Sequence, residues 1–136
     1  MREIAASAAG LPAFVMYFAV ALVLVVVFAA IYIRITPMRE VALIRDGKLA
    51  PAISFSGALV GFSLPLSRSI EQSQSLVDLL LWSLAALVVQ LLAFFVATLV
   101  LPQLGRRIAA NEVGAGVFAA AVALVFGFIN SASMTY

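Results

Sequence analysis

At 136 residues, 65% hydrophobic and 10% charged, with a mean hydropathy of +1.21, the chain is too apolar to dissolve as a water-coated domain; such a domain carries roughly a quarter of its residues charged. Eight Lys and Arg against six Asp and Glu leave a net charge of +2 and no basic face for nucleic acid, so no nucleic-acid partner is expected. With no cysteine and no histidine, disulfides, thiol redox chemistry, histidine-ligated haem and the usual zinc or copper sites are excluded, and no metal or cofactor is expected.

Four stretches carry no charge at all: 4–33, 49–67, 79–105 and 113–136. Crossing a hydrocarbon core of about 30 Å takes about 20 apolar residues in a helix, so each stretch is long enough. The expectation is an all-α membrane protein with four transmembrane helices in a single membrane domain over 1–136. The first helix is expected over 11–34, dense in Val, Leu, Ile and Phe. Its 23 uncharged residues from Leu11 to Ile33 exceed the 7–15 of a signal-peptide core, so it reads as a retained span. Its β-branched run favours a strand in water, but a lone strand in lipid leaves its backbone groups unpaired, and helix wins.

The loop that follows holds Arg34, Arg39, Glu40, Arg45, Asp46 and Lys48. Thr36-Pro37 reads as a helix start and Asp46-Gly47 as a stop. Met38, Val41, Ala42 and Ile44 lie between them among the charges, which predicts a short amphipathic helix in the membrane interface. The second span, about 49–67, is weaker, with Ser54, Ser56, Ser63, Ser67, Gly57, Gly61, Pro51 and Pro65. The third, about 77–101, is strongly apolar apart from Gln90. The fourth, about 113–134, is rich in Ala and Gly.

Basic residues set orientation. Segments 34–48 and 102–112 hold six of them, against Arg2 and Arg68 elsewhere. Both segments are therefore expected in the cytoplasm and both termini on the periplasmic or extracellular side. Tyr17, Trp82 and Tyr136 then fall near the outer interface and Tyr32 near the inner one.

Sliding the chain against itself by 65 residues pairs Tyr17 with Trp82, Pro37 with Pro102, Asp46 with Asn111, and Pro65 with Asn130. This predicts two helical-hairpin repeats, 11–70 and 76–136. Each crosses the membrane twice, so the copies run parallel.

At 100° per residue, Phe55, Leu59, Phe62 and Leu66 make one ridge of the second helix, expected to face lipid. Ser56, Ser63 and Ser67 make a stripe on one side of it; Ser54, Gly57, Gly61 and Pro65 make another. Ser83, Ala86, Gln90 and Ala97 share a face of the third helix, and Gly116, Ala120, Ala123, Gly127, Asn130 and Met134 share one of the fourth. Two readings compete. Small residues allow the close approach that packs membrane helices, with Gly57, Gly61, Gly116, Ala120, Ala123 and Gly127 as packing positions and the amides as interhelical donors. Alternatively Gln90, Asn130, Ser54, Ser56, Ser63, Ser67 and Pro65 line a polar path for an ion or small solute.

All six acids lie in tails, loops or helix ends, so no intramembrane carboxylate relay is expected. Nucleophilic catalysis would need a serine beside Lys or an acid. Lys48 is the single lysine and lies on the opposite side from Arg68 and Glu71, so no enzyme is expected.

Three motifs carry a resemblance: Arg34-Ile35-Thr36-Pro37 with Leu43-Ile44 after it; Phe55-Ser56-Gly57, Gly61 and Pro65-Leu66; and Gly127, Asn130, Ala132 and Met134-Thr135-Tyr136. Together, and over nearly the whole chain, the sequence resembles the YjfL family of small bacterial inner-membrane proteins, built from a duplicated two-helix domain of unknown function. The resemblance implies a four-span inner-membrane protein and assigns no catalytic or ligand residue. The function expected is an inner-membrane assembly unit of unknown biochemical activity, with the lipid bilayer and a second copy of the chain as partners. A small-solute channel and an accessory subunit docking a cytoplasmic protein are the alternatives.

Overall fold

A computed structural model describes residues 1–36 and 39–134. Among them are seven helices and no strand. Helix α1 (Arg2–Ala8) is exposed and leads through Ala9 and Gly10 into α2 (Leu11–Ile35). The others are α3 (Glu40–Arg45), α4 (Leu49–Gln72), α5 (Leu76–Val100), α6 (Leu104–Ala109) and α7 (Val113–Ala132). Four helices are long and apolar enough to cross a membrane: α2 with α1 as its continuation, α4, α5 and α7. At 1.5 Å per residue, the 25 residues of α2 reach about 37 Å.

Element ends follow local chemistry. The Thr36 hydroxyl donates to the Tyr32 carbonyl (2.9 Å) as the backbone turns extended at the end of α2. Helix α3 begins at Glu40; the expected start at Pro37 lies outside the described residues, as do Met38, Thr135 and Tyr136. Ser75 caps α5 by accepting from the Asp78 N–H (3.1 Å). Helix α4 continues five residues past the expected end at Ser67, through Gln72. Charge at Arg68 marks where hydrocarbon gives way to polar surroundings, but no helix breaker occurs there.

Helices α3 and α6 end alike. In α3, Lys48 N–H donates to Leu43 O and Gly47 N–H to Ile44 O, with Gly47 at φ +81°. In α6, Glu112 N–H donates to Arg107 O and Asn111 N–H to Ile108 O, with Asn111 at φ +66°. Both are Schellman motifs, whose left-handed position favours Gly and then Asn. The residue matching Asn111 is therefore Gly47, not Asp46; a 64-residue shift aligns these ends. Helix α6 itself was not expected from the sequence.

Helices α4 and α7 run side by side in parallel, Ala50 beside Gly116, Gly57 beside Ala120 and Gly61 beside Gly127, and form the most extensive interface. Helix α5 packs against both. The second half of α2 lies on α4 and α5 through Leu24, Phe28 and Tyr32. The Phe28 and Phe62 rings stack at 4.6 Å, and Tyr32 meets Phe94 edge-on at 5.9 Å.

That arrangement overturns the lipid-facing ridge. Phe62 and Leu66 are buried, and Phe55 and Leu59 pack against the same core. Ser56, Ser63 and Ser67, with Val60, are the exposed strip of α4. Lipid is as apolar as leucine, so bulk alone does not say which face turns outward.

Candidate functional site

The polar groups of the spans gather along α4, α5 and α7. An ideal Cβ on Gly61 would stand 2.5 Å from both Ala123 O and Gln90 Nε2, and one on Gly116 would stand 2.5 Å from Ala50 O. Cβ atoms on Gly57 and Gly127 would collide with Ala120 and with the Gly61 carbonyl. Pro65 has no N–H to offer that carbonyl, which instead lies against Gly127. Glycine is required here because backbone meets backbone.

Two amides tie α5 to α7. Gln90 Nε2 donates to Ala123 O at 2.7 Å, and Asn130 Nδ2 donates to Ala86 O at 3.2 Å. Each helix thus supplies one side-chain donor to the other's backbone. Gln90 is 2% exposed and Asn130 9%. Gln90 Oε1 has no hydrogen-bond partner among the described residues, and the same holds for Ser54 Oγ and Ser83 Oγ, each on a residue 1% exposed. The structure thus brings Gln90, Asn130, Ser54 and Pro65 into the bundle. It places Ser56, Ser63 and Ser67 on the outside, where Ser63 Oγ bonds its own helix at Val60 O (2.7 Å). Toward the chain's C-terminal end, Ser69 Oγ donates to Met134 Sδ at 3.4 Å.

A second group lies at the α3–α6 end. Glu40 is fully shielded. Its Oε1 contacts the Thr36 hydroxyl, and its Oε2 has no partner among the described residues. The Tyr32 hydroxyl lies beside Ser54 and within electrostatic reach of Glu40. Burial pushes the Glu40 carboxyl above the usual carboxylate range, partly offset by the Thr36 contact. Sequence reasoning placed Glu40 among the charges of a short amphipathic helix lying in the membrane interface. The signal it passed over is the spacing Tyr32, Thr36, Glu40, one polar group every fourth residue.

The remaining charges are at the surface. Arg107 Nε bonds Glu112 Oε2 at 2.7 Å, which raises the guanidinium pKa further, and Arg68 pairs with Glu71 at 3.8 Å. Asn111 Oδ1 accepts from the Ala50 N–H (2.9 Å), joining the end of α6 to the first turn of α4. No group of three or more acidic, His or Cys side chains that could hold a metal ion occurs among the described residues.

Comparison with known proteins matches residues 6–134 to a family described as Domain of Unknown Function, DUF350. The chain is 38% identical over 124 residues to the UPF0719 inner membrane protein YjfL of Escherichia coli K12, covering 91% of this chain and 94% of that protein. The YjfL protein of Escherichia coli O157:H7 matches equally. The UPF0719 transmembrane protein YshE of Bacillus subtilis 168 is 26% identical over 87 residues, 64% of this chain and 65% of that protein. No solved structure shows a significant match.

Proposed function

The chain belongs to the DUF350 family of multi-pass membrane proteins, and from that premise we propose that it is a homo-oligomeric assembly unit of the bacterial inner membrane. In this reading, helices α2–α3–α4 and α5–α6–α7 are tandem copies running parallel. The recurrence of a long, a short and a long helix supports this, as do the matching Schellman ends at Gly47 and Asn111. Arg39, Arg45, Lys48 and Arg106 are exposed at the α3–α6 end, which favours that end in the cytoplasm.

One observation carries the assembly reading. Gly57, Gly61, Gly116 and Gly127 are consumed inside the chain, yet α4 still turns Ser56, Ser63 and Ser67 toward the membrane beside a shallow groove of Ala52, Ile53, Gly57, Val60, Ala120 and Leu124. Small and hydroxyl-bearing surfaces are the ones membrane helices use to meet. The chain has no cysteine, so Ser63→Cys gives a single thiol. Oxidation in membranes should yield a disulfide-linked dimer from Ser63→Cys and none from Val88→Cys on the exposed face of α5. Monomer from both would overturn the reading.

A polar path is the second reading, favoured by the buried oxygens of Gln90 and Ser83 that have no hydrogen-bond partner among the described residues. Ion flux into liposomes that disappears in Gln90→Leu would support it; absence of flux under every ion gradient would remove it.

A further inference from the structure

Glu40 is shielded completely, yet no cation answers it: among the described residues the ion pairs are Arg68–Glu71 and Arg107–Glu112. An unpaired carboxylate is costly to bury and takes up a proton instead.

The contacts of its two oxygens point the same way. The Thr36 hydroxyl has one proton and three acceptors within reach: the Tyr32 carbonyl at 2.9 Å, the Ile33 carbonyl at 3.5 Å and Glu40 Oε1. It can answer at most one carboxylate oxygen, and Glu40 Oε2 has no partner among the described residues. Ionisation would leave that oxygen buried with its charge unanswered.

We propose that Glu40 is a proton-binding site whose protonated carboxyl docks α3 onto the bundle, and whose ionisation releases it. The groups that face it are Thr36, at the C-cap of α2, and Tyr32 of α2, whose hydroxyl lies in turn beside Ser54 of α4. The charged residues of α4, Arg68 and Glu71, sit at its far end. Arg34, Arg39, Arg45, Asp46 and Lys48, on and around α3, are exposed, as is Arg106 on α6, and Arg107 is engaged by Glu112. Burial raises the carboxyl above its ordinary range, in agreement with the geometry.

The docked form therefore binds more protons than the released one. Docking is complete at pH values below the ordinary carboxylate range, and it weakens as pH rises through the raised value of Glu40. Release would free the segment bearing Arg39, Arg45 and Lys48, so the site couples proton concentration to the placement of a basic surface.

The full chain in liposomes tests this by infrared titration together with a spin label at Val41→Cys on the exposed side of α3. The wild type should keep a protonated-carboxyl band above the pH at which ordinary carboxylates ionise, and Glu40→Gln should lose it. Label mobility should rise as the band disappears, stay low at every pH in Glu40→Gln, and stay high at every pH in Glu40→Ala. A band that vanishes within the ordinary range, or survives in Glu40→Gln, overturns the site. Mobility that ignores loss of the band, or rises equally in Glu40→Gln, overturns the latch.

Discussion

Single residues decide how closely the backbones approach. A branched side chain at Gly61 or Gly127 meets a facing carbonyl, so each substitution by Ile should destabilise the bundle by about 1–3 kcal/mol or more. Gly114 has open space around it, and Gly114→Ala should stay within about 0.5 kcal/mol of the wild type. Reversible unfolding in mixed micelles measures both. Gln90→Leu and Asn130→Leu each remove one α5–α7 donor and should cost about 0.6–2 kcal/mol in the same assay. Gln90 and Asn130 were legible in the sequence because an amide inside an apolar span stands out. Glu40 was not, because its burial depends on α2 and α4 closing over a short helix, which no local pattern records.

At the scale of elements, α3 and α6 are stopped by backbone geometry more than by charge. Gly47→Ala puts a Cβ at φ +81° and should cost about 1–2 kcal/mol despite the open space around it. Asn111→Gly keeps the turn but loses the bond to Ala50 N–H, and should cost about 1 kcal/mol. Asn111→Ala loses both and should be the worst of the three in the same unfolding assay. The spans were readable because charge-free runs of this length have few other uses. The inward face of α4 was misassigned because lipid and core are equally apolar, so Phe62 is at home in either. Helix α6 went unseen because Pro102 and two arginines read as a loop, while Leu104 and Ile108 reveal their burial only once Ala50, Ala97 and Ala115 surround them.

Over the whole molecule, two hairpins in the same sense make a bundle whose α3–α6 end gathers most of the basic residues. Its small-residue helices pair at the centre, and bulky α2 and α5 cover one side of that pair. This arrangement requires an even number of crossings, with the loops around α3 and α6 on one side of the membrane and the chain's beginning and the α4–α5 turn on the other. The cysteine-free background allows a direct check by labelling single cysteines in sealed inner-membrane vesicles of known sidedness with an impermeant thiol reagent. Cysteines at Asp46 and Ala110 should be labelled from the cytoplasmic side, and cysteines at Ala8 and Gln74 from the opposite side alone. Labelling of Asp46 and Ala110 from different sides, or of Ala8 and Asp46 from the same side, would contradict the account.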